Sequence, residues 1–384
     1  MLLTDSIRIH RRQPSVALPS YNPRGEDDDD GSSSKSSSRG RRRRSRRTKA
    51  ESIIRLTIAF ASMAVILVAL YTIFTAFLGL HSLSNTKRPV RGIAKSTTET
   101  DNPILVPSFQ DIDDARTGKP LKSNLNSLVY SGSSADDPKV VLVVDIDFET
   151  RDPSRLAKVL DNRRQYAQKH GYGLYARFKQ DFHYQYPSAF DWTAWTKIAL
   201  CREAMVVFPN AKYYWYLDQD AVITDLSVDV QEHVLNRDVL EQLMLADQPV
   251  ITSSKVIRTP KQPNAQRSEF VVAQDEQGLN SKSFMFTNSD SSRMILDLWN
   301  DPNHHNYGPF DRNDISALNH IALWHYTVLR HMAIIPPKRM ASLSWSLDDK
   351  VQYSNGDFVG VLRDCNNPEL CAQQFESLLA DVHD

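Results

Sequence analysis

The chain has 384 residues, enough for one large or two ordinary domains. Its 46 Lys and Arg equal its 46 Asp and Glu, and this zero net charge hides a local asymmetry, so it argues neither for nor against a nucleic-acid partner. The three cysteines are spaced like no zinc site, which excludes a zinc-ligand framework.

The first part of the chain is not globular in composition. Residues 1–54 are rich in Ser, Arg and Asp, with an acidic run from Glu26 to Asp30 and a basic run from Arg39 to Lys49, and they hold too few apolar side chains for a core. A disordered cytoplasmic tail is expected. The run Arg41 to Arg44 has the composition of a nucleic-acid patch, but it stands just before an apolar segment, 55–80, whose stretch from Leu56 to Leu80 carries no charge. That stretch exceeds the roughly 20 residues a transmembrane helix needs. More Lys and Arg precede it than follow it, so the amino terminus is expected on the cytosolic side and everything after residue 81 in a lumen, a type II arrangement with no nucleic-acid role. Residues 81–137, rich in Ser, Asn, Thr, Pro and Asp, are expected to form a flexible stem with little regular structure.

From 138 to 384 the pattern changes to alternating strand-like and helix-like runs with enough apolar residues for one core. Lys139 to Val144 predicts a buried strand, and Asp152-Pro153 starts a helix that Gly171 stops. A strand over Tyr172 to Phe178, a helix over Trp192 to Phe208 capped by Asp191, and a strand over Tyr213 to Leu217 follow. Strand, helix, strand, helix, strand implies an α/β domain with a mainly parallel sheet, whose ligands sit at the carboxyl ends of the strands. Cys365 and Cys371 are close enough to bridge in a lumenal compartment, and Cys201 is expected as a buried thiol.

Two Asp-x-Asp patterns end apolar runs: Asp145-Ile146-Asp147 and Asp218-Gln219-Asp220. In a strand, residues i and i+2 share a face, so each pair would aim two carboxylates the same way. Such a pair repels itself unless a cation intervenes, and a hard divalent metal can at once hold a diphosphate and stabilise the charge that builds on it as it leaves. The pattern is also common at solvated strand ends, and residue types alone do not choose between the two copies.

Asn162 to Gly171 followed by Tyr172, Trp195-Thr196-Lys197-Ile198, the apolar run into Asp218-Gln219-Asp220, and Gln274-Asp275 with Gly278-Leu279-Asn280-Ser281 together resemble glycosyltransferase family 34. That family contains yeast galactosyltransferases and the α-1,6-mannosyltransferase subunits of the fungal Golgi mannan polymerase, and the resemblance runs from about Pro138 to Cys371. It implies a GT-A fold, a retaining mechanism, manganese, and a Golgi membrane location. It also implies GDP-mannose as donor, a glycoprotein mannan acceptor and partner mannosyltransferase subunits. Asp218 and Asp220 match the metal-binding pair. Asp145 then falls where the nucleotide base or ribose is met, unless it only caps the next helix. Gln274, Asp275 and Asn280 match the motif lining the sugar and acceptor side, with Asp275 as the candidate for stabilising the sugar's positive centre; a plain polar loop is the alternative. Lys197 faces a phosphate or is merely solvated.

The sequence departs from the family pattern in four places. Val361 stands where a metal-binding His is expected, Lys282 where Gly follows Asn280-Ser281, Asp314-Ile315 where Glu-Gln is usual, and Ala341 where Asn is typical. Arg363 is a suitable partner for the diphosphate in place of the missing His. These departures leave room for a supporting subunit with a weakened metal site, and a galactosyltransferase using UDP-galactose is a further alternative.

Overall fold

The computed structural model describes residues 98–119, 128–131, 137–187, 189–251, 256–276, 278–363, 365 and 367–384. Met1–Pro89 separates from Val90–Asp384 as a distinct unit, and the described residues all belong to the second. The expected tail and membrane span lie outside the described residues. Among the described residues no helix is long and apolar enough to cross a membrane.

In chain order the strands are β1 Thr98–Thr100, β2 Ile104–Leu105, β3 Leu128–Tyr130, β4 Val140–Ile146, β5 Gly173–Phe178, β6 Tyr213–Leu217, β7 Ala221–Ile223, β8 Phe270–Asp275, β9 Gly278–Thr287, β10 Met332–Ile335, β11 Ser342–Leu343 and β12 Val359–Val361. The main sheet has seven strands in the order β10-β8-β9-β6-β4-β5-β2. β2, β5, β4 and β6 run parallel, and β9 is antiparallel to both β6 and β8. A smaller sheet, β11-β12-β7, has β12 antiparallel to β7.

The Val-rich β4 is buried along its whole length because helices cover both faces of the sheet. Alternation decides which side each residue serves. Val140, Leu142, Val144 and Ile146 pack with Leu156, Val159 and Tyr166 of the Pro153–His170 helix, while Val141 and Val143 pack with Ile198 and Leu200 of the Thr196–Val207 helix. Asp152 caps the first of these helices by accepting from the Ser154 amide at 2.8 Å, Pro153 opens it, and Gly171 ends it in the left-handed region at φ 67°. Asp191 does not cap the next helix through its side chain. It accepts from Thr193 and Asn313 instead, and a short 3-10 turn, Trp192–Ala194, precedes the α-helix.

The described residues of the expected stem include regular structure. Ile104–Leu105 pairs with β5 at the edge of the main sheet, and Ser108 starts the Phe109–Arg116 helix through a capping box with Asp111. Ile112 is fully buried in the core. The polar composition of 81–137 conceals these few apolar residues, which suffice because the sheet edge and a neighbouring helix already exist to receive them. The bridge Cys365–Cys371 is formed, and Cys201 is a buried free thiol.

Candidate active site

β6 stops at Leu217, and Asp218-Gln219-Asp220 forms the turn into β7 rather than a strand continuation. The two carboxylates therefore do not share a strand face. Asp218 Oδ1 accepts from its neighbour's backbone, the Asp220 amide, at 2.8 Å, and the Ala221 amide donates to the Asp218 carbonyl at 3.1 Å, closing the turn. The Gln219 side chain accepts from the Asp147 amide at 2.8 Å and ties the turn to the end of β4. From the helix behind, Arg163 donates to the carbonyls of Asp218 (3.1 Å) and Ala221 (2.6 Å), and Asn162 exchanges two hydrogen bonds with the Ile223 backbone. Arg163 is fully buried, and desolvation lowers its pKa against the opposing pull of Asp218.

Each aspartate of the turn faces its own set of cations. Asp220 takes a two-pronged contact from Arg151 (3.0 and 2.8 Å) and a third bond from Arg155 (2.7 Å). Asp218 lies in the field of Lys179, Lys282 and Lys197; burial raises its pKa, but these ammoniums together with the Asp220 amide outweigh burial and hold it well below the usual carboxylate range. Lys179 is buried as well. Desolvation works against its charge, yet Asp145, Asp218, Asp147 and Asp220 push its pKa up, so the ammonium persists.

On the opposite side of β9 from the turn, the β8–β9 hairpin brings Asp275 and Asn280 together, with Asn280 Nδ2 at 3.4 Å from Asp275 Oδ2. Asp275, Asn280, Lys282, Arg312 and Arg363 line one cavity of about 40 Å³. Arg363 is ion-paired with Glu276, stacks over the Trp345 ring at 5.5 Å, and Ser346 also donates to Glu276. Gly278 makes the hairpin possible. Its φ is 120°, and a Cβ there would meet Asn319 Nδ2 at 2.6 Å, while Asn319 accepts from the Leu279 amide at 3.0 Å. Gly278→Ala is expected to cost about 2 kcal/mol, read as a lowered urea midpoint at unchanged m.

Among the expected site residues, Asp275, Asn280 and Arg363 thus meet at one cavity. Asp145 is elsewhere, wholly buried, with Tyr216 and Thr196 hydroxyls donating to its two oxygens at 2.6 and 2.7 Å and Lys179 at 3.4 Å. Both of its oxygens are thus held by hydroxyls and an ammonium of the core. Asp147 caps the loop after β4 through Glu149, Thr150 and Gln180. Lys197 is neither solvated nor open to a phosphate: its ammonium is buried 2.7 Å from Asp314 and 3.2 Å from Ser281. Gln274 uses its carbonyl on the Ile251 amide (3.0 Å) and its amide on the Pro249 carbonyl (3.0 Å), holding that segment in place.

Arg151, Arg155 and Lys179 carry roles that sequence patterns did not assign. One signal was available: Arg151 and Arg155 are four apart at a helix amino terminus, an end that repels cations unless an acid compensates. Asp220 is that acid.

The residues around the turn do not fit a divalent metal. Asp220 has both oxygens committed to guanidiniums, which leaves Asp218 alone, with one oxygen on the Asp220 amide and the other beside a Tyr216 hydroxyl whose single proton goes to Asp145. Val361 lies beside the turn, paired with Ala221, and its side chain belongs to the apolar core. Among the described residues, Asp220, Cys365 and Cys371 are the group whose ligand atoms converge, but the two sulfurs are bonded to each other and supply no thiolate. Arg155 donates to Cys371 Sγ at 3.1 Å, so the bridge serves as a wall for this cation pair.

The turn at the carboxyl ends of the parallel run is thus ringed by cations and adjoins a carboxylate-amide pair, a setting suited to an anionic ligand. The pattern of the galactosyl transferase GMA12/MNN10 family matches residues 136–372. An uncharacterized alpha-1,2-galactosyltransferase of Schizosaccharomyces pombe is 31% identical over 263 residues, 66% of this chain and 79% of that protein. The probable alpha-1,6-mannosyltransferase MNN11 of Saccharomyces cerevisiae is 30% identical over 316 residues, 74% of each chain. The crystal structure of a glycosyltransferase involved in glycosylation of the major capsid of PBCV-1 overlaps 63% of this chain and 100% of its own at 11% identity, with a TM-score of 0.41. The chain belongs to the galactosyl transferase GMA12/MNN10 family and is a glycosyltransferase.

Proposed function

We propose that the protein is a Golgi type II membrane α-1,6-mannosyltransferase of GT-A architecture. It transfers mannose from GDP-mannose, with retention, to mannan outer chains of glycoproteins, in a complex with other mannosyltransferase subunits. The observation that carries glycosyl transfer from a nucleoside-diphosphate sugar is the meeting of Asp275 and Asn280 in one cavity with Lys282, Arg312 and Arg363. Transfer develops positive charge at the sugar centre and negative charge on the departing diphosphate, and the site offers a carboxylate for the first and cations for the second. Four parallel strands followed by the antiparallel β9 support the GT-A assignment. The mannosyl branch is favoured by the extent of the match to MNN11, 316 residues at 30% identity against 263 at 31% for the alpha-1,2-galactosyltransferase.

In this scheme Asp275 faces the sugar and stabilises its cationic centre, and Asn280 fixes the Asp275 carboxylate by donating from Nδ2 while its Oδ1 accepts from the Lys282 amide at 2.9 Å. Arg163 and Asn162 act as positioning residues by holding the Asp218–Ile223 backbone. Manganese, which the family resemblance implies, has no ligand set in this arrangement, and no step is assigned to it.

The test is a donor panel. Transfer to an α-mannoside acceptor is expected from GDP-mannose and not from UDP-galactose; the reverse preference would replace the mannosyl assignment by the galactosyl one. Asp275→Asn, which keeps shape and removes charge, is expected to lower kcat by about 100-fold or more with donor binding nearly unchanged, the signature of an interaction made in the transition state. Equal turnover by the variant would remove Asp275 from the chemistry.

A further inference from the structure

We propose that the Lys282 ammonium takes the place of a divalent metal in this glycosyltransferase, so that the diphosphate of its donor is bound by side-chain cations alone. The proposal rests on the donor being a nucleoside-diphosphate sugar. Its grounds are geometric. The Asp218 amide donates to the Lys282 carbonyl at 2.8 Å, so the Lys282 stem begins beside the first aspartate of the turn. The ammonium ends on the carbonyls of Leu362 (2.6 Å) and Arg363 (3.2 Å), and the Leu362 amide in turn holds the Asp220 carbonyl at 2.8 Å. The side chain therefore spans from the Asp218–Asp220 turn to the segment that closes over it, the space between the expected metal-binding carboxylates and the position where Val361 replaces a His. Two departures from the family pattern, Lys282 and Val361, fall on the two sides of this one space.

A lysine ammonium has three N–H groups. Two are used on the carbonyls of Leu362 and Arg363, which leaves one for a ligand in the cavity that Lys282 lines. A divalent ion placed there would meet this fixed positive charge, and of the carboxylates that would normally draw it Asp220 is committed to Arg151 and Arg155, while Asp218 is held through one oxygen by the turn. Arg312 and Arg363 line the same cavity and extend the cationic surface. A diphosphate needs positive charge and N–H donors, and both are present without an ion. The Arg363–Glu276 pair stands at this cavity, and its opening would hand Arg363 to the phosphate.

The experiment uses the full chain in detergent, with GDP and UDP as probes. Affinity is measured by calorimetry in EDTA and again in excess manganese, and free Mn(II) is followed by its paramagnetic resonance signal as protein is added. The expected result is GDP binding whose Kd changes less than twofold between the two conditions, with the Mn(II) signal undiminished by protein. Lys282→Met is expected to weaken that binding by tenfold or more, and Lys282→Arg to retain most of it. Binding that appears only with manganese, or equal affinity of the Met variant, would overturn the metal replacement while leaving the transferase assignment intact. Failure of both nucleotides to bind under either condition would overturn the donor assignment and this proposal together.

Discussion

Asp220→Ala is expected to unfold this domain more readily as well as to abolish transfer. The Asp220 carboxylate is nearly buried and compensates Arg151 and Arg155, whose side chains are 19% and 11% exposed. Removing it leaves two guanidiniums facing each other at a helix amino terminus, where the helix dipole adds further repulsion. Breaking a buried pair from one side costs about 3–5 kcal/mol, and in a domain of this size each kcal/mol moves Tm by about 2–4 °C, so a fall of roughly 10 °C is predicted. Asp220→Ala combined with Arg151→Met and Arg155→Met should recover most of the stability and none of the activity, because the charges vanish together while the turn still loses its anchor. The opposite outcome, a single variant as stable as the parent, would show that the guanidiniums find other partners and that Asp220 is held for a ligand.

Lys197→Met is the second large effect. The Lys197 and Asp314 side chains are 6% and 7% exposed and joined at 2.7 Å, linking the Thr196–Val207 helix to the Asn313–Trp324 helix. Methionine retains the stem and removes the charge, stranding Asp314 in the core beside Ser281, at an expected cost of about 3–5 kcal/mol. The double variant Lys197→Met, Asp314→Leu should return to near the parent urea midpoint, since an apolar pair of similar volume avoids the desolvation of both charges. The double variant also tests the buried placement of Lys197 against the phosphate role its sequence position suggests. Restored stability with unchanged GDP affinity assigns the lysine to the fold; restored stability with lost affinity assigns it to the phosphate.

Much of the architecture is legible from local pattern. The all-apolar run of β4, the Asp152-Pro153 start and Gly171 stop of the following helix, and the strand from Tyr213 to Leu217 each follow from periodicity and capping chemistry that act within a few residues. Ile104–Leu105 was not legible, because two apolar residues in a polar stretch become a strand only when β5 offers an edge. Asp218–Asp220 looks strand-like in sequence as the natural extension of an apolar run. The strand instead ends at Leu217, where the Asp218 carboxylate captures the Asp220 amide, a local hydrogen bond that competes with the sheet ladder.

The candidate site divides in the same way. The family motifs located Asp218, Asp220, Asp275 and Asn280 and the departures at Lys282 and Val361, since residue identity at fixed spacing needs no coordinates. Which charge meets which was beyond them. Arg151 and Arg155 reach Asp220 across 69 and 65 residues, and Lys197 reaches Asp314 across 117. The sequence by itself determined the α/β class, the family and the residue types available for chemistry, because those depend on short-range pattern. Only the tertiary structure decided that Asp145 and Lys197 are consumed by the core, that Gln274 holds a neighbouring segment, and that the Lys282 ammonium closes the space beside the turn, because the partner of a charge is fixed by how distant segments pack.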